Sequence, residues 1–488
     1  MKTGARWAIL KRRLPAAAAM TAVAGYFLGL TQDSLRVYFS PDDLMNLYRA
    51  WLWPLGTLVK ANLLFFLNYP VGRPMGALWY RVVFHCAGFH PFWFHAANLA
   101  ILIVNILLTC ALARSLSGSR AVGTITAFLF SYVPRMAVIY FDTGFIYDVL
   151  CYFFYAGALL LYVGVRGRNR RLSTWQTAGL CGLYACALSS KEMAVTLPVF
   201  LAVYEALYHP PSVWRGKDVL LWLRSLRLAV GLLGLTLVFA AGRASGANSL
   251  IHHPAYRPLF TAGRFMETSR HFFGDAASWQ VLLLWAALFL LAWLTKSHAL
   301  RFAALFLFLS PLPVAFIAPR EAGQYYLCWF GWSLYGAMAL VGLFRFLTPR
   351  RWRDRYWVTA VRSAALLAGL TLVCYPLYKR AGWEPVKGVS LEGPKNLDCV
   401  QQLHRVEPRL APRSRILFLN DPVRADWYNL LFMVRLSYRD RSLVVGRVKQ
   451  PPTAPENSYD YVLDYKEGRF VELRRPARDT FPPTGRPL

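Results

Sequence analysis

Acidic residues are scarce in this chain. Asp and Glu number 25 among 488 residues, against 55 Lys and Arg, for a formal charge of +30. The eight cysteines include no CxxC pair. Cys110, Cys151, Cys181, Cys186, Cys328 and Cys374 fall in apolar runs, where a small packing residue is the ordinary reading. Only Cys86 and Cys399 lie outside them, so the spacing indicates neither a zinc motif nor a disulfide framework. No internal repeat of the kind many transporters carry is present. The first apolar run lacks a small-residue cleavage site and continues into Gly25-Tyr26-Phe27, which argues against a cleavable signal.

Apolar residues are what the chain has in excess. They make up 56% of it, aromatics alone 15%, and the mean hydropathy is +0.33. That is too apolar for a soluble protein of this length. Apolar runs at about 14–31, 92–113, 121–140, 146–164, 174–189, 193–208, 226–242, 279–295, 302–319, 325–346 and 357–378 match the bilayer core, predicting about eleven spans.

The cations explain themselves by position. Lys2, Arg6, Lys11, Arg12 and Arg13 precede the first run. Further clusters occupy every second loop: Arg114 and Arg120; Arg166, Arg168, Arg170 and Arg171; Arg215, Lys217, Arg224 and Arg227; Lys296 and Arg301; Arg345, Arg350, Arg351, Arg353 and Arg355. Basic loops stay in the cytoplasm, so the charge is a topology signal and an attraction to anionic lipid rather than a nucleic-acid surface. An inner N-terminus and an odd span count place the C-terminus outside.

Residues 379–488 then read as a small exterior α/β domain with a loose tail from Pro476. Arg415–Asn420 is a buried strand, Asp426–Tyr438 an amphipathic helix and Ser442–Val448 a second strand. Tyr459–Leu473 is a hairpin turning at Lys466-Glu467-Gly468. From about Lys379 the chain turns polar and proline-punctuated.

Two outer loops are long enough to bind something. The first spans 31–91, where Leu44–Leu67 is expected to lie in the interface as amphipathic helices. The second spans 242–278 and carries His252, His253, Tyr256, Arg257, Arg264, Glu267, Arg270 and His271. At the start of the first loop stand Ser40-Pro41-Asp42-Asp43. The pattern is a helix start, with Ser40 as N-cap, Pro41 at the first position and Asp43 at the capping-box position. The same pair suits acceptor activation, one carboxylate taking a proton and the other orienting it or helping to hold a metal; Asp42 is then the freer base.

Other outer-face residues can complete a site. Asp148, near the outer end of the fourth span, needs either a polar cavity or an ion pair such as Arg135. Arg73 and Lys191 are phosphate-binding candidates, alongside headgroup anchoring for the first and snorkelling or pairing with Glu192 for the second. Arg320 and Glu321 precede the tenth span. His95 and Asn98 share a helix face, but the five-residue spacing of His90 and His95 is poor for a metal, and packing at the interface is the simpler use. No metal-ligand or cofactor motif is identified; a divalent metal beside the acids stays open.

The order of these motifs resembles the GT-C membrane glycosyltransferases, especially the branch with protein O-mannosyltransferase-like and tetratricopeptide-bearing mannosyltransferases. The likeness covers roughly residues 10–345. It rests on Asp42-Asp43 at the first-span exit, Arg73-Pro74, the segment from Phe89 to Leu99, Asp148 after Val133-Pro134, and Ser190-Lys191-Glu192 leading into Leu197-Pro198. The resemblance implies a GT-C-like all-α polytopic domain over residues 1–378. It implies inverting transfer from a polyprenyl-phosphate sugar to a hydroxyl of a protein, glycan or lipid at the outer, periplasmic face of a bacterial membrane. Asp42, Asp43 and Asp148 then form the catalytic group. Arg73, Lys191 and Arg320 meet the donor phosphate, with Glu192, His95, Asn98 and Glu321 in support. Two features depart from the family: Phe145-Ile146-Tyr147 stands where an arginine often precedes the fourth-span acid, and no tetratricopeptide repeats follow. The competing class is a transporter or lipid-linked-glycan flippase without bond chemistry. Within the enzyme class, the rival is a ligase using a diphosphate lipid.

Overall fold

The structure is a computed structural model that describes residues 2–67, 72–211, 216–244, 252, 256–347, 356–450 and 455–474. The basic run containing Arg350, Arg351, Arg353 and Arg355, together with Arg215, His253 and the tail from Pro476, lies outside the described residues.

The chain opens with a long helix, α1 (Lys2–Thr31), then enters the first outer loop. There α2 (Pro41–Leu52), α3 (Leu55–Leu63) and α4 (Pro74–Ala87) form, two of them in the stretch expected to be interfacial. The polytopic body follows as α5 (Pro91–Ser117), α6 (Arg120–Ser131), α7 (Val138–Phe141), α8 (Ile146–Arg166), α9 (Thr174–Ser190) and α10 (Leu197–Tyr208). Next come α11 (Gly216–Ser225), α12 (Arg227–Ala244), α13 (Ala262–Phe272), α14 (Ser278–Leu294), α15 (His298–Leu309), α16 (Trp329–Phe346) and α17 (Tyr356–Ala381).

Helices occupy each of the eleven apolar runs, but many are shorter than a bilayer. Among the described residues, Pro91–Ser117, Thr143–Arg166 and Val361–Ala381 are long and apolar enough to cross, and the pair α11–α12, bent by 52°, makes a fourth if counted as one span. By length and composition, three or four of the eleven expected spans are therefore met among the described residues. Proline accounts for much of the shortfall, because it lacks the N–H of the helical ladder. The run expected at 121–140 ends its helix at Ser131, before Val133-Pro134, and α15 stops before Pro311.

Local chemistry marks the boundaries. Ser173 and Gln176 make a reciprocal capping box on α9, Ser119 caps α6, and Gly118 ends α5 in the left-handed conformation that glycine tolerates. Aromatic stacks fill the core between helices: Phe130 on Tyr152, Tyr132 on Tyr140 and Phe200 on Phe306.

Beyond α17 the polar stretch forms a 24-residue helix, α18 (Trp383–Val406), with Pro394 inside it. Its side chains anchor it: the Asn396 amide donates to the Phe39 carbonyl at 3.0 Å. The α/β domain forms as read: β1 (Arg415–Phe418), α19 (Asn429–Ser437), β2 (Val444–Arg447), β3 (Tyr461–Lys466) and β4 (Arg469–Arg474). The sheet order is β2-β1-β3-β4, with β1 parallel to β2 and β3, and β3 antiparallel to β4. A buried pair, Arg447 to Asp421 at 2.8 Å, closes the end of β1 and β2.

This domain docks on the back of α2. The Phe432 ring stacks on Tyr48 at 4.6 Å, Arg435 donates to the Tyr48 hydroxyl, and the Arg441 guanidinium lies 4.7 Å over Trp51. The segment carrying α2 is thus held between the helical body and the α/β domain.

Candidate active site

Helix α2 starts as its sequence dictates. Ser40 Oγ accepts from the Asp43 N–H at 3.1 Å, and Asp43 Oδ2 accepts from the Ser40 N–H at 3.0 Å. The other oxygen, Oδ1, accepts from Thr143 Oγ1 at 2.5 Å and from the Tyr80 hydroxyl at 3.3 Å. Asp43 is fully buried. Both of its oxygens are committed, so it fixes the start of α2 rather than meeting substrate.

Asp42, one residue earlier, is exposed. Crowding by protein, then the charges of Asp43 and Glu321, raise its carboxyl above the ordinary Asp value. Glu321, itself exposed, is 279 residues further along the chain yet near enough for its charge to act on Asp42.

The sequence reading missed Asp142. It is buried in the turn before α8, where its Oδ1 accepts the Gly144 N–H at 2.7 Å. A Cβ on Gly144 would stand 2.8 Å from that oxygen and 3.2 Å from the Asp42 Cβ, so the glycine lets the two acids approach. Burial first, then the charges of Asp43 and Asp42, hold the Asp142 carboxyl far above its ordinary value, and its hydrogen bond to Asp43 acts in the same direction. Nothing about Asp142 in the sequence distinguishes it from a surface turn residue; only the packing of α2 against this turn reveals it.

A second cluster lies beside the first. Lys191 Nζ donates to Asp148 Oδ2 at 2.7 Å, with both side chains only 5% exposed. Asp148 therefore does not pair with Arg135, whose guanidinium instead reaches the His271 carbonyl at 2.6 Å and Asp275 at 3.9 Å. Lys191 spans to α8 rather than to its neighbour, and burial lowers its pKa against the pull of Asp148. Arg73 takes Glu192 in a forked contact, at 3.1 and 3.5 Å. Burial pushes Glu192 upward, but Arg73 and Lys191 outweigh it and bring the carboxyl down to about 2.

Between the clusters lies a cavity of about 270 Å³. Its wall includes Asn46, Arg49, Arg73, Ala77, Tyr147 and Tyr256. Asp42, Met45, Asn46 and Arg49 recur at the i, i+3, i+4, i+7 spacing of one helix face, so the exposed acid heads the stripe that walls the cavity. Arg49 was also missed in the sequence, where it reads as an ordinary interfacial cation. The Arg73 guanidinium lies 5.7 Å over Tyr147, whose hydroxyl donates to Asn46 at 3.1 Å. Arg320 touches the same wall from behind, donating to the Tyr256 hydroxyl at 2.7 Å with its guanidinium 4.3 Å over the ring.

His95 and Asn98 are fully buried beneath the loop, the latter donating to the Ile139 carbonyl at 3.2 Å. They support the turn carrying Asp142 and do not reach the cavity. Among the described residues no group of three or more His, Cys, Asp or Glu is placed to hold a metal ion.

The arrangement offers an exposed carboxylate with a raised pKa on the same helix face as Arg49, and a small cavity that Arg49 and Arg73 both line. That suits removing a proton from one partner while neutralising an anion on another.

No family model and no curated protein matches the sequence. Among solved structures, the chain is similar to the oligosaccharyltransferase of Archaeoglobus fulgidus. One structure of it, tethered to an acceptor peptide containing the NVT sequon, matches with a TM-score of 0.50 at 13% identity over 89% of this chain and 64% of that one. Another, of AglB with an inhibitory peptide and a dolichol-phosphate, also gives 0.50 at 13% identity, over 96% and 75% respectively. This chain thus spans about two thirds to three quarters of those proteins. At such identity the likeness shows the fold alone: a helical body followed by a small domain with a sheet.

Proposed function

We propose that this chain is a membrane glycosyltransferase that moves a sugar from a polyprenyl-phosphate-linked donor to a hydroxyl acceptor at the outer face of a bacterial membrane. The single observation that supports the reading is a cavity lined by Arg49 and Arg73, with the exposed Asp42 one turn ahead of Met45, Asn46 and Arg49 on the face of α2 that walls it. An enzyme needs a base and an anion-stabilising group on opposite sides of the bond being exchanged; a passage for lipid needs neither.

The chemistry follows from the geometry. Asp42 accepts the proton of the acceptor hydroxyl as its oxygen attacks the anomeric carbon. The carbon–oxygen bond to phosphate breaks, and the polyprenyl phosphate leaves with the electron pair. One displacement inverts the anomeric configuration. Arg49 and Arg73 neutralise the departing phosphate, and a planar guanidinium suits that geometry. Asp43 and Asp142 position α2 and the 142–144 turn. Lys191 and Asp148 brace α8 against the turn that presents Glu192 to Arg73. Arg320 holds Tyr256 against the cavity and Glu321 tunes Asp42. No step is assigned to a metal or cofactor.

The fold supports the lipid-linked class of donor, since the neighbouring structure holds a dolichol-phosphate. The mannosyltransferase-like branch and a single-sugar donor are part of the proposal. The test is transfer by purified protein, with polyprenyl-phosphate sugars and polyprenyl-diphosphate glycans offered separately, against hydroxyl and peptide acceptors. Product from the diphosphate donor alone would move the assignment to a glycan ligase. Lipid movement without a new glycosidic bond would overturn it in favour of a flippase.

A further inference from the structure

A larger cleft, of about 600 Å³, lies on the other side of the first outer loop, between it and α18–α19. Its lining carries Arg36, His90, His404 and Arg439, and no acidic side chain. Neither Arg36 nor Arg439 has a carboxylate partner among the described residues, and both are exposed. Two arginines with no acid in the lining make a concave site that attracts an anion.

The shape around Arg439 is specific. Its guanidinium rests on Gly88, where a Cβ would collide with it, and lies 5.8 Å from the Phe84 ring. Gly88 also has φ of +69°, a conformation other residues rarely adopt. The His404 ring packs on Tyr438 at 4.4 Å, which fixes one wall.

Apart from Ser437, the rest of the lining is largely apolar and includes Tyr38, Phe89, Phe92, Leu397 and Val400. Its position points to the source of the anion. His90-Pro91-Phe92 opens α5, one of the helices long and apolar enough to cross a membrane. In its first turn Phe92 and Trp93 are 38% and 53% exposed, as aromatics are at the headgroup level. A ligand there has its charge at the cations and its apolar part toward the bilayer.

We infer that this cleft binds the phosphate headgroup of an anionic membrane phospholipid, seated between the first outer loop and the exterior domain. Val37 and Tyr38 line it and lead directly into Ser40, the cap of α2. The Asn396 contact to Phe39 ties the same segment to α18. An occupied cleft clamps the exterior domain onto the segment that sets the start of α2.

The test is native mass spectrometry of the full chain in detergent, with phosphatidylglycerol or phosphatidylcholine added, and inorganic phosphate as competitor. We expect retained phosphatidylglycerol, with occupancy about tenfold lower in the double variant Arg36→Gln/Arg439→Gln. Arg36→Lys/Arg439→Lys should keep most of it, and Arg380→Gln, which removes an exposed cation elsewhere, should bind as the parent does. Equal phosphatidylglycerol occupancy in parent and double Gln variant would overturn the inference, as would equal retention of phosphatidylcholine. Displacement of the lipid by millimolar phosphate would overturn the lipid assignment. A thermal melt of each variant separates lost binding from lost fold. The readout does not involve transfer, so it stands or falls separately from the proposed activity.

Discussion

Asp42 and Asp43 are adjacent, yet their environments predict opposite phenotypes. Replacing Asp43 with Ala removes the acceptor of the Ser40 N–H and the partner of two buried hydroxyls, Thr143 and Tyr80. Loss of a cap costs ~1 kcal/mol and a buried donor left unsatisfied ~1–3 kcal/mol. Thr143 and Tyr80 lie 3.1 Å apart and partly satisfy each other, so we expect a total of ~2–4 kcal/mol. Asp42 accepts no comparable set of bonds and is exposed, so Asp42→Asn should cost no more than ~1 kcal/mol, chiefly through its charge at the helix start. Its loss as a base should reduce transfer by ~10²–10⁴-fold. Asp43→Asn should fall between the two, because it keeps one acceptor and loses the charge. Thermal unfolding in detergent and transfer at saturating donor measure the two quantities on the same preparations. A stable Asp43→Ala with a destabilised Asp42→Asn would refute the division of roles, and full activity in Asp42→Asn would remove Asp42 as the base.

Four further outcomes follow from the same geometry. Lys191→Met should destabilise by ~3–5 kcal/mol, because it leaves Asp148 buried without its cation, and adding Asp148→Leu should restore most of the loss in a thermal melt. Arg49→Ala and Arg73→Ala should each weaken use of limiting lipid donor more than of acceptor, and Arg73→Lys should rescue only in part because the fork is lost; unchanged donor titrations would remove both from the site. A raised Asp42 pKa means that transfer increases with pH through that pKa and levels above it; Glu321→Gln, by removing one of the repelling charges, should move this acidic limb to lower pH. Asp142 takes up its proton more readily folded than unfolded, so its stability contribution is present below the unfolded pKa and lost as pH rises through the raised folded one; Asp142→Asn should flatten that loss and melt no lower than the parent at neutral pH.

The sequence made the start of α2 legible because Ser-Pro-Asp-Asp carries its own hydrogen-bonding instructions. The hairpin at Lys466-Glu467-Gly468 was equally local, since Glu467 and Gly468 take the positive φ values such a turn needs. The membrane spans were legible as apolar runs but not as lengths, because hydropathy does not register how Pro134 and Pro311 end helices within a run. The partners of Asp148 and Arg73 were hidden for a different reason. Lys191 is 43 residues from Asp148 and Glu192 is 119 from Arg73, so only tertiary packing chooses them over nearer charges. Asp142 and Arg49 carry no motif at all. Their significance comes from a turn packing against a helix and from a helix face meeting a cavity. The helix α18 runs through Pro394 because contacts such as that of Asn396 with Phe39 outweigh the local penalty.

The most direct test of the central claim is the anomeric configuration of a product made by the purified chain. A polyprenyl-phosphate sugar of known configuration is incubated with a hydroxyl acceptor, and the new glycosidic linkage is assigned by nuclear magnetic resonance. A single displacement by an Asp42-activated hydroxyl predicts one product with inverted configuration, absent with Asp42→Asn. A retained configuration, or an inverted product still formed at full rate by Asp42→Asn, would contradict it.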